Sequence, residues 1–264
     1  MPSADPTQRF SGRVANYEAY RPRYPDAFFT FLEAELGIGA GSVVADVGSG
    51  TGISAGPLVE RGVVVHAIEP NGAMRAAAEA KYGARANFHS SGATAEATGL
   101  PDKSVDLVLA AQAFHWFDKP RARAEFARIL RPGGPIVLVW NERKLAGSPF
   151  LAAYENLLLT YATDYTKIRH ELVTEDVLAE FFGGPFETRV FENAQEFDYA
   201  GLEGRLLSSS YAPAAGQAGH DEMLVELRRI FDAHQQGGRV RVEYDTRARV
   251  GRAMTNAETR SSNQ

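Results

Sequence analysis

The chain has 264 residues, 44% of them apolar, and sets 28 lysines and arginines against 33 aspartates and glutamates for a net charge of −5. That length and apolar fraction support a sizeable core in one elaborated α/β domain. No long basic block marks a nucleic-acid surface, and no apolar run approaches the roughly 18 residues that span a bilayer. With no cysteine in the sequence, disulfides, thiol nucleophiles and thiolate-ligated zinc are excluded, and no metal site is expected. The first ten residues lack the apolar stretch of a secretion signal, so the expectation is a cytoplasmic protein with a small-molecule partner. Monomer and homodimer stay open, because exposed and subunit-buried helices share one pattern.

In chain order, residues 1–30 read as an N-terminal arm or lid. Tyr17-Glu18-Ala19-Tyr20-Arg21-Pro22-Arg23-Tyr24-Pro25 joins rigid aromatics to two guanidinium groups and backbone-restricting prolines. The planar fork of Arg21 suits a ligand carboxylate; the alternative is a solvated surface arginine. Residues 31–145 form the ligand-binding core. There, β-branched runs at Val43–Val47, Val63–Ile68, Arg85–Ser90, Val105–Ala111 and Pro135–Trp140 alternate with helical stretches at Ile53–Arg61, Asn71–Tyr82 and Pro120–Leu130. This is the pattern of a parallel sheet with crossover helices. Gly62 is placed to end the first helix in the left-handed region. Residues 146–185 read as a helical cap insertion. Residues 186–253 complete the sheet with strands Thr188–Tyr199 and Arg239–Val250 around a helix near Asp221–His234, as a hairpin-like pair with one strand antiparallel. Residues 254–264 read as a flexible polar tail.

The loop Asp46-Val47-Gly48-Ser49-Gly50-Thr51-Gly52 follows a strand and precedes a helix, where backbone amides can approach a ligand closely. Two registers compete. Gly50-Thr51-Gly52-Ile53-Ser54-Ala55 meets the loose dinucleotide pattern of a nicotinamide-dependent oxidoreductase. That pattern wants its first glycine at the strand end, where Gly48 sits, and its third then falls on Ile53. An acidic-x-Gly-x-Gly-x-Gly register starting at Asp46 fits without adjustment. The second strand ends in Glu69, about 20 residues farther on, where nucleotide-binding sheets place an acid for the ribose hydroxyls. A helix-cap acid ahead of Pro70-Asn71 is the other reading.

The loop resembles motif I of class I S-adenosylmethionine-dependent methyltransferases. The chain is similar to their type-11 small-molecule group, which includes the trans-aconitate methyltransferase-like proteins. The matching segments are Arg9-Phe10 through Tyr24-Pro25, Glu69-Pro70-Asn71 with Met74, Ala95-Glu96-Ala97-Thr98-Gly99-Leu100-Pro101-Asp102, Ser104-Val105-Asp106-Leu107-Val108, Phe114-His115-Trp116-Phe117 and Leu130-Arg131-Pro132-Gly133-Gly134. Weaker similarity runs through Ser208-Ser209-Ser210-Tyr211 and Tyr244-Asp245-Thr246. The resemblance implies a Rossmann-like, mostly parallel seven-stranded sheet of order 3-2-1-4-5-7-6 flanked by helices, with an accessory cap. It implies S-adenosylmethionine as cofactor and a small-molecule acceptor, a carboxylic acid or a specialised metabolite.

For the cofactor, the expected contacts are Tyr20 and Arg21 from the arm, then Asp46, Gly48, Ser49, Gly50 and Gly52, then Glu69 and Pro70. The resemblance sets Met74 against the adenine face, Thr94 and Ala95 beside the adenine, and Ala111 and Gln112 at the methionine end. Gly92-Ala93-Thr94-Ala95-Glu96 departs from the commoner GDAE-like arrangement and has no aspartate for the adenine amine, so Thr94 or a backbone carbonyl must serve. Tyr17, Tyr24, His115, Trp116, Trp140, Ser210 and Tyr211 are expected on the acceptor side.

In-line methyl transfer needs donor and nucleophile about 3 Å apart, with water excluded. Some acceptors also need a base. His115 follows the fourth strand, at the carboxyl edge where ligands of open α/β sheets collect, and is the candidate base. A packed corner with a satisfied imidazole is the competing reading, and a non-catalytic S-adenosylmethionine-binding module stands beside the oxidoreductase as an alternative function.

Overall fold

A computed structural model describes residues 18–163, 165, 173–209 and 211–252. Tyr17, Ser210, most of the expected arm and the tail 254–264 therefore lie outside the described residues. The strands are β1 (Val43–Val47), β2 (Val64–Ile68), β3 (Phe88–Ser91), β4 (Leu107–Ala111), β5 (Ile136–Arg143), β6 (Phe186–Phe197) and β7 (Val240–Gly251). The helices used below are α1 (Asp26–Ala34), α2 (Ala55–Glu60), α3 (Gly72–Tyr82), α4 (Lys119–Ile129), α5 (Pro149–Tyr161), α6 (Glu175–Phe182), α7 (Tyr199–Leu207) and α8 (His220–His234).

All seven strands form one sheet of order β3-β2-β1-β4-β5-β7-β6, the order that the resemblance implies. The first five strands pair in parallel, and β7 runs antiparallel to both β5 and β6. Helices cover both faces of the parallel part, so its strands are apolar throughout: every position of β4 and the first six of β5 are buried. On one face, Phe28 and Leu32 of α1 and Leu58 of α2 pack on Val44, Leu107 and Val137. On the other, Phe126 and Ile129 of α4 and Phe181 and Phe182 of α6 pack on Val108 and Leu138.

Local chemistry sets the helix starts. Asn71, Asp118, Ser148 and Asp198 each accept a first-turn amide of the helix that follows, and Gly62 takes φ +78° after α2.

The boundaries shift where pairing overrides propensity. The third strand begins at Phe88, because Arg85 N donates to Tyr82 O (2.8 Å) and spends residues 83–87 on a turn. The fifth runs three residues beyond Trp140, because β7 pairs Asn141 with Thr246, Glu142 with Asp245 and Arg143 with Tyr244. Although β6 and β7 pair along their whole lengths, from Phe186 with Gly251 to Phe197 with Val240, α7 and α8 intervene, so they are not a hairpin.

Segment 146–185 divides between two places. α5 joins α7, α8 and the first half of β7 in a third apolar cluster that includes Tyr154, Leu206, Leu227 and Tyr244. α6 lies on the sheet instead, its Phe181 ring 6.1 Å from Phe126. Among the described residues, no helix is long and apolar enough to cross a membrane.

Candidate functional site

The glycine loop leaves β1 at the point where the sheet order reverses between β1 and β4, the switch point where open α/β sheets hold ligands. Gly48, Gly50 and Gly52 take φ of +70°, +56° and +81°, while Ser49 and Thr51 between them keep the ordinary negative sign. Such alternation curls successive amides to one side and makes an anion- or dipole-binding concavity. At Gly48 a side chain is also excluded by space, since a Cβ there would lie 2.4 Å from Ala113 Cβ.

Two loop residues have a different role from the one expected. Gly52 does not line the cavity: a Cβ on it would come 2.9 Å from the Tyr82 ring, so its absence of a side chain seats α3 against the loop. Asp46 is fully buried behind the loop, where it accepts a hydrogen bond from Ser54 Oγ (2.7 Å). Burial pushes its carboxyl up to about 7, helped by the charge of Glu69 and opposed by the Ser54 hydroxyl.

The folded protein therefore keeps a proton on Asp46 that the unfolded chain has already released above its ordinary value of 3.8. Stability should fall as pH rises through the interval between those values, by on the order of 4 kcal/mol from this group. Asp46→Asn should lack that part of the decline when urea midpoints at pH 5 and pH 8 are compared. Identical profiles for the two proteins would refute the assignment.

Glu69 spans the two loops that edge the site. Its Oε2 accepts from Gly50 N (2.9 Å) and its Oε1 from Asn71 N (2.7 Å), while burial raises its carboxyl against the pull of those amides and Arg75. Glu69→Ala thus removes a ligand acceptor and releases the Gly50 amide. The expected loss of cofactor affinity is about 1.5–3 kcal/mol, read by calorimetric titration. An unchanged Kd in the folded variant would remove Glu69 from the site.

One cavity of about 800 Å³ runs from Gly48, Gly50, Glu69 and Pro70 to His115, Trp116 and Tyr211. Its size lies within the range of roughly 300–1,000 Å³ usual for small-molecule sites. Met74, Thr94, Ala95, Ala111, Gln112 and Arg21 also line it. Met74 is buried yet belongs to none of the three apolar clusters, which favours ligand contact over core packing. Gln112 takes φ +60° at the end of β4, a conformation uncommon outside glycine and found where the surroundings over-determine the backbone. A recess of about 30 Å³ adjoins the cavity and is walled by Ser49, Thr51 and Tyr24. Tyr24, expected at the acceptor, therefore stands beside the glycine loop.

Two further expectations are corrected. Tyr20 does not line the cavity; it lies across Gly204 of α7, where a Cβ would come within 2.1 Å of its ring. Trp140 is 3% exposed and packs edge-on to Phe114 with ring centroids 6.2 Å apart, because its strand position points into the α4 side of the sheet.

The described part of the arm is docked. Asn141 Nδ2 donates to Pro22 O (3.1 Å), Asn193 Nδ2 to Arg23 O (2.7 Å) and Gln195 Nε2 to Tyr20 O (3.3 Å). Thr246 Oγ1 donates to Asn141 Oδ1 (2.5 Å), so β5, β6 and β7 together hold the arm beside the cavity. Arg21 Nη2 donates to Ser208 O (3.2 Å).

Sequence reasoning missed Asn141 and the charged lining of the far wall, Arg143, Arg205, Arg247 and Arg249 with Glu142. Arg205 could have been read: it shares the i, i+3, i+4, i+7 stripe of Leu202, Leu206 and Ser209, all buried, and a charge on an apolar stripe calls for a partner.

A methyltransferase domain family matches residues 45–138. An uncharacterized methyltransferase of Mycobacterium tuberculosis is 42% identical over 139 residues, 53% of this chain and 54% of that protein. The chain thus spans about half the length of these mycobacterial relatives. Another, from Geobacillus thermodenitrificans, is 34% identical over 173 residues, 62% of this chain and 79% of that protein. Among solved structures, a proposed type II methyltransferase from Anaeromyxobacter dehalogenans is 27% identical with a TM-score of 0.66, covering 90% of this chain and 100% of that one.

Proposed function

This chain belongs to the class I S-adenosylmethionine-dependent methyltransferases, and on that footing we propose that it methylates a small-molecule acceptor held in its central cavity. The observation that carries the reading is the continuity of one cavity from the glycine loop and Glu69 to His115 and Tyr211, which gives donor and acceptor a common space.

The residues suit the cofactor. Gly48 packs so closely on Ala113 that no Cβ fits, which leaves its backbone bare at the cavity, and Ser49 Oγ and Thr51 Oγ1 are buried beside the recess without a hydrogen-bond partner among the described residues. Glu69 holds a carboxylate where ribose hydroxyls would donate, and Met74, Thr94 and Ala95 make the adenine wall. When bound, S-adenosylmethionine supplies an electrophilic methyl group on a sulfonium.

The chain's own part is to bind, align and exclude water. Gln112 and Arg21 close the methionine end, and the clamped arm covers that edge. His115, on the turn Phe114–Trp116 just after β4, faces the same cavity and is placed to take a proton from the acceptor. The net charge of −5 agrees with a small-molecule acceptor better than with nucleic acid.

Incubation with labelled S-adenosylmethionine and fractionated metabolite extracts should yield a labelled small product. Tight cofactor binding with no transfer to any fraction would favour a binding module instead.

A further inference from the structure

We propose that the acceptor carries a carboxylate and that Arg205 of α7 is the residue that receives it. The proposal rests on reading the cavity as a methyl-transfer site. Arg205 is 7% exposed and lines the cavity. Its Nε donates to Tyr244 Oη (3.3 Å) and its Nη1 to Ser209 Oγ (3.2 Å). Tyr244 in turn donates to Gln195 Oε1 (3.0 Å), so its oxygen is oriented to accept from the guanidinium. These are neutral partners, and a guanidinium offers five N–H groups, so three remain, two on Nη2 and one on Nη1.

The other cations of this wall are matched. Arg143 pairs with Glu155, Lys144 with Asp245 (3.6 Å), Arg247 with Glu142 (2.9 Å) and Arg249 with Glu142 (3.5 Å). Among the described residues no carboxylate pairs with Arg205. A buried charge held only by hydroxyls is costly to keep unless an anion completes it. The local field agrees: burial raises the Tyr211 phenol, but the guanidiniums of Arg205 and Arg21, a hydrogen bond with Ser209 and the guanidinium of Arg143 together outweigh it and bring it below its usual range.

The anion should be a carboxylate rather than a phosphate. A planar carboxylate can accept from the remaining Nη donors, whereas Glu142, Glu175 and Asp245 on the same cavity wall repel a dianion.

The test titrates the protein, saturated with S-adenosylhomocysteine, with propionate and benzoate, with their amides, and with inorganic phosphate. At least one carboxylate should bind, with the matching amide and phosphate weaker by about tenfold or more. Arg205→Met should lose about tenfold or more of that affinity and keep its affinity for S-adenosylhomocysteine, and Arg205→Lys should restore part of it. Absence of carboxylate binding, equal binding of amide or phosphate, or undiminished binding by Arg205→Met overturns the proposal.

If Arg205→Met does not fold, phenylglyoxal modification of Arg205 in the wild-type protein, followed by mass spectrometry, replaces it. Propionate or benzoate should slow the modification and their amides should not; equal rates overturn the proposal. Failure to bind S-adenosylhomocysteine would instead strike the methyltransferase reading, because the carboxylate titration and the modification can be read without it.

Discussion

Gly48→Val should abolish measurable cofactor binding and lower the stability of the fold by about 2–4 kcal/mol. Two costs act together at this position. Its φ of +70° is a conformation that a β-branched residue resists, and the added Cβ would meet Ala113 Cβ at 2.4 Å. Relief would have to come from the loop or from the segment that leads to His115, and each displaces a wall of the cavity.

Gly50→Val provides the internal comparison. There a Cβ would lie 3.5 Å from Met74 Cε, an ordinary contact with a flexible side chain, so the stability loss should be smaller while the ligand-facing surface still changes. Urea unfolding and titration with S-adenosylhomocysteine on both variants check the ordering. A folded Gly48→Val protein with wild-type affinity would mean that the loop is not the cradle.

His115→Asn should lower the single-turnover rate of methyl transfer by about 10²–10⁴-fold and leave cofactor affinity nearly intact, because proton removal matters only on the way to the transition state. Its ring lies 4.7 Å from that of Trp116 and faces the cavity that Tyr211 also lines. A packing role predicts something else: a lower melting temperature, with activity falling only in proportion to the folded fraction. A pocket-lining role without base chemistry raises KM for the acceptor and keeps the pH dependence of the chemical step. Rates between pH 5 and pH 9 in both proteins separate the three. If the wild-type profile shows no ionisation that the variant lacks, His115 is not the base.

The parallel half of the fold was legible because its signals are local. Val43–Val47 is the observed strand to the residue, and the register of the glycines on Gly48 rather than Gly50 already separated the two nucleotide-binding readings. The observed order supports that separation, since β7 is inserted antiparallel between β5 and β6, whereas the dinucleotide sheet runs 3-2-1-4-5-6.

What could not be read depends on long-range contacts. Asp46 and Gly52 carry the right residue types, but only the packing of Ser54 and Tyr82 shows that they support the loop from behind. Trp140 sits one residue before Asn141, and the pleat sends the tryptophan into the core and the asparagine to the clamp on the arm. The tether joins Asn141 to Pro22 across 119 positions, a separation over which no local pattern carries information.

Calorimetric titration of the protein with S-adenosylmethionine, S-adenosylhomocysteine and NAD, repeated on Glu69→Ala, decides directly which cofactor the glycine loop holds. Saturable one-to-one binding of both sulfur ligands, no binding of NAD, and a loss of about 10- to 100-fold in affinity in the variant are expected. Binding of NAD in place of the sulfur ligands, or equal affinities in the two proteins, would contradict the S-adenosylmethionine assignment.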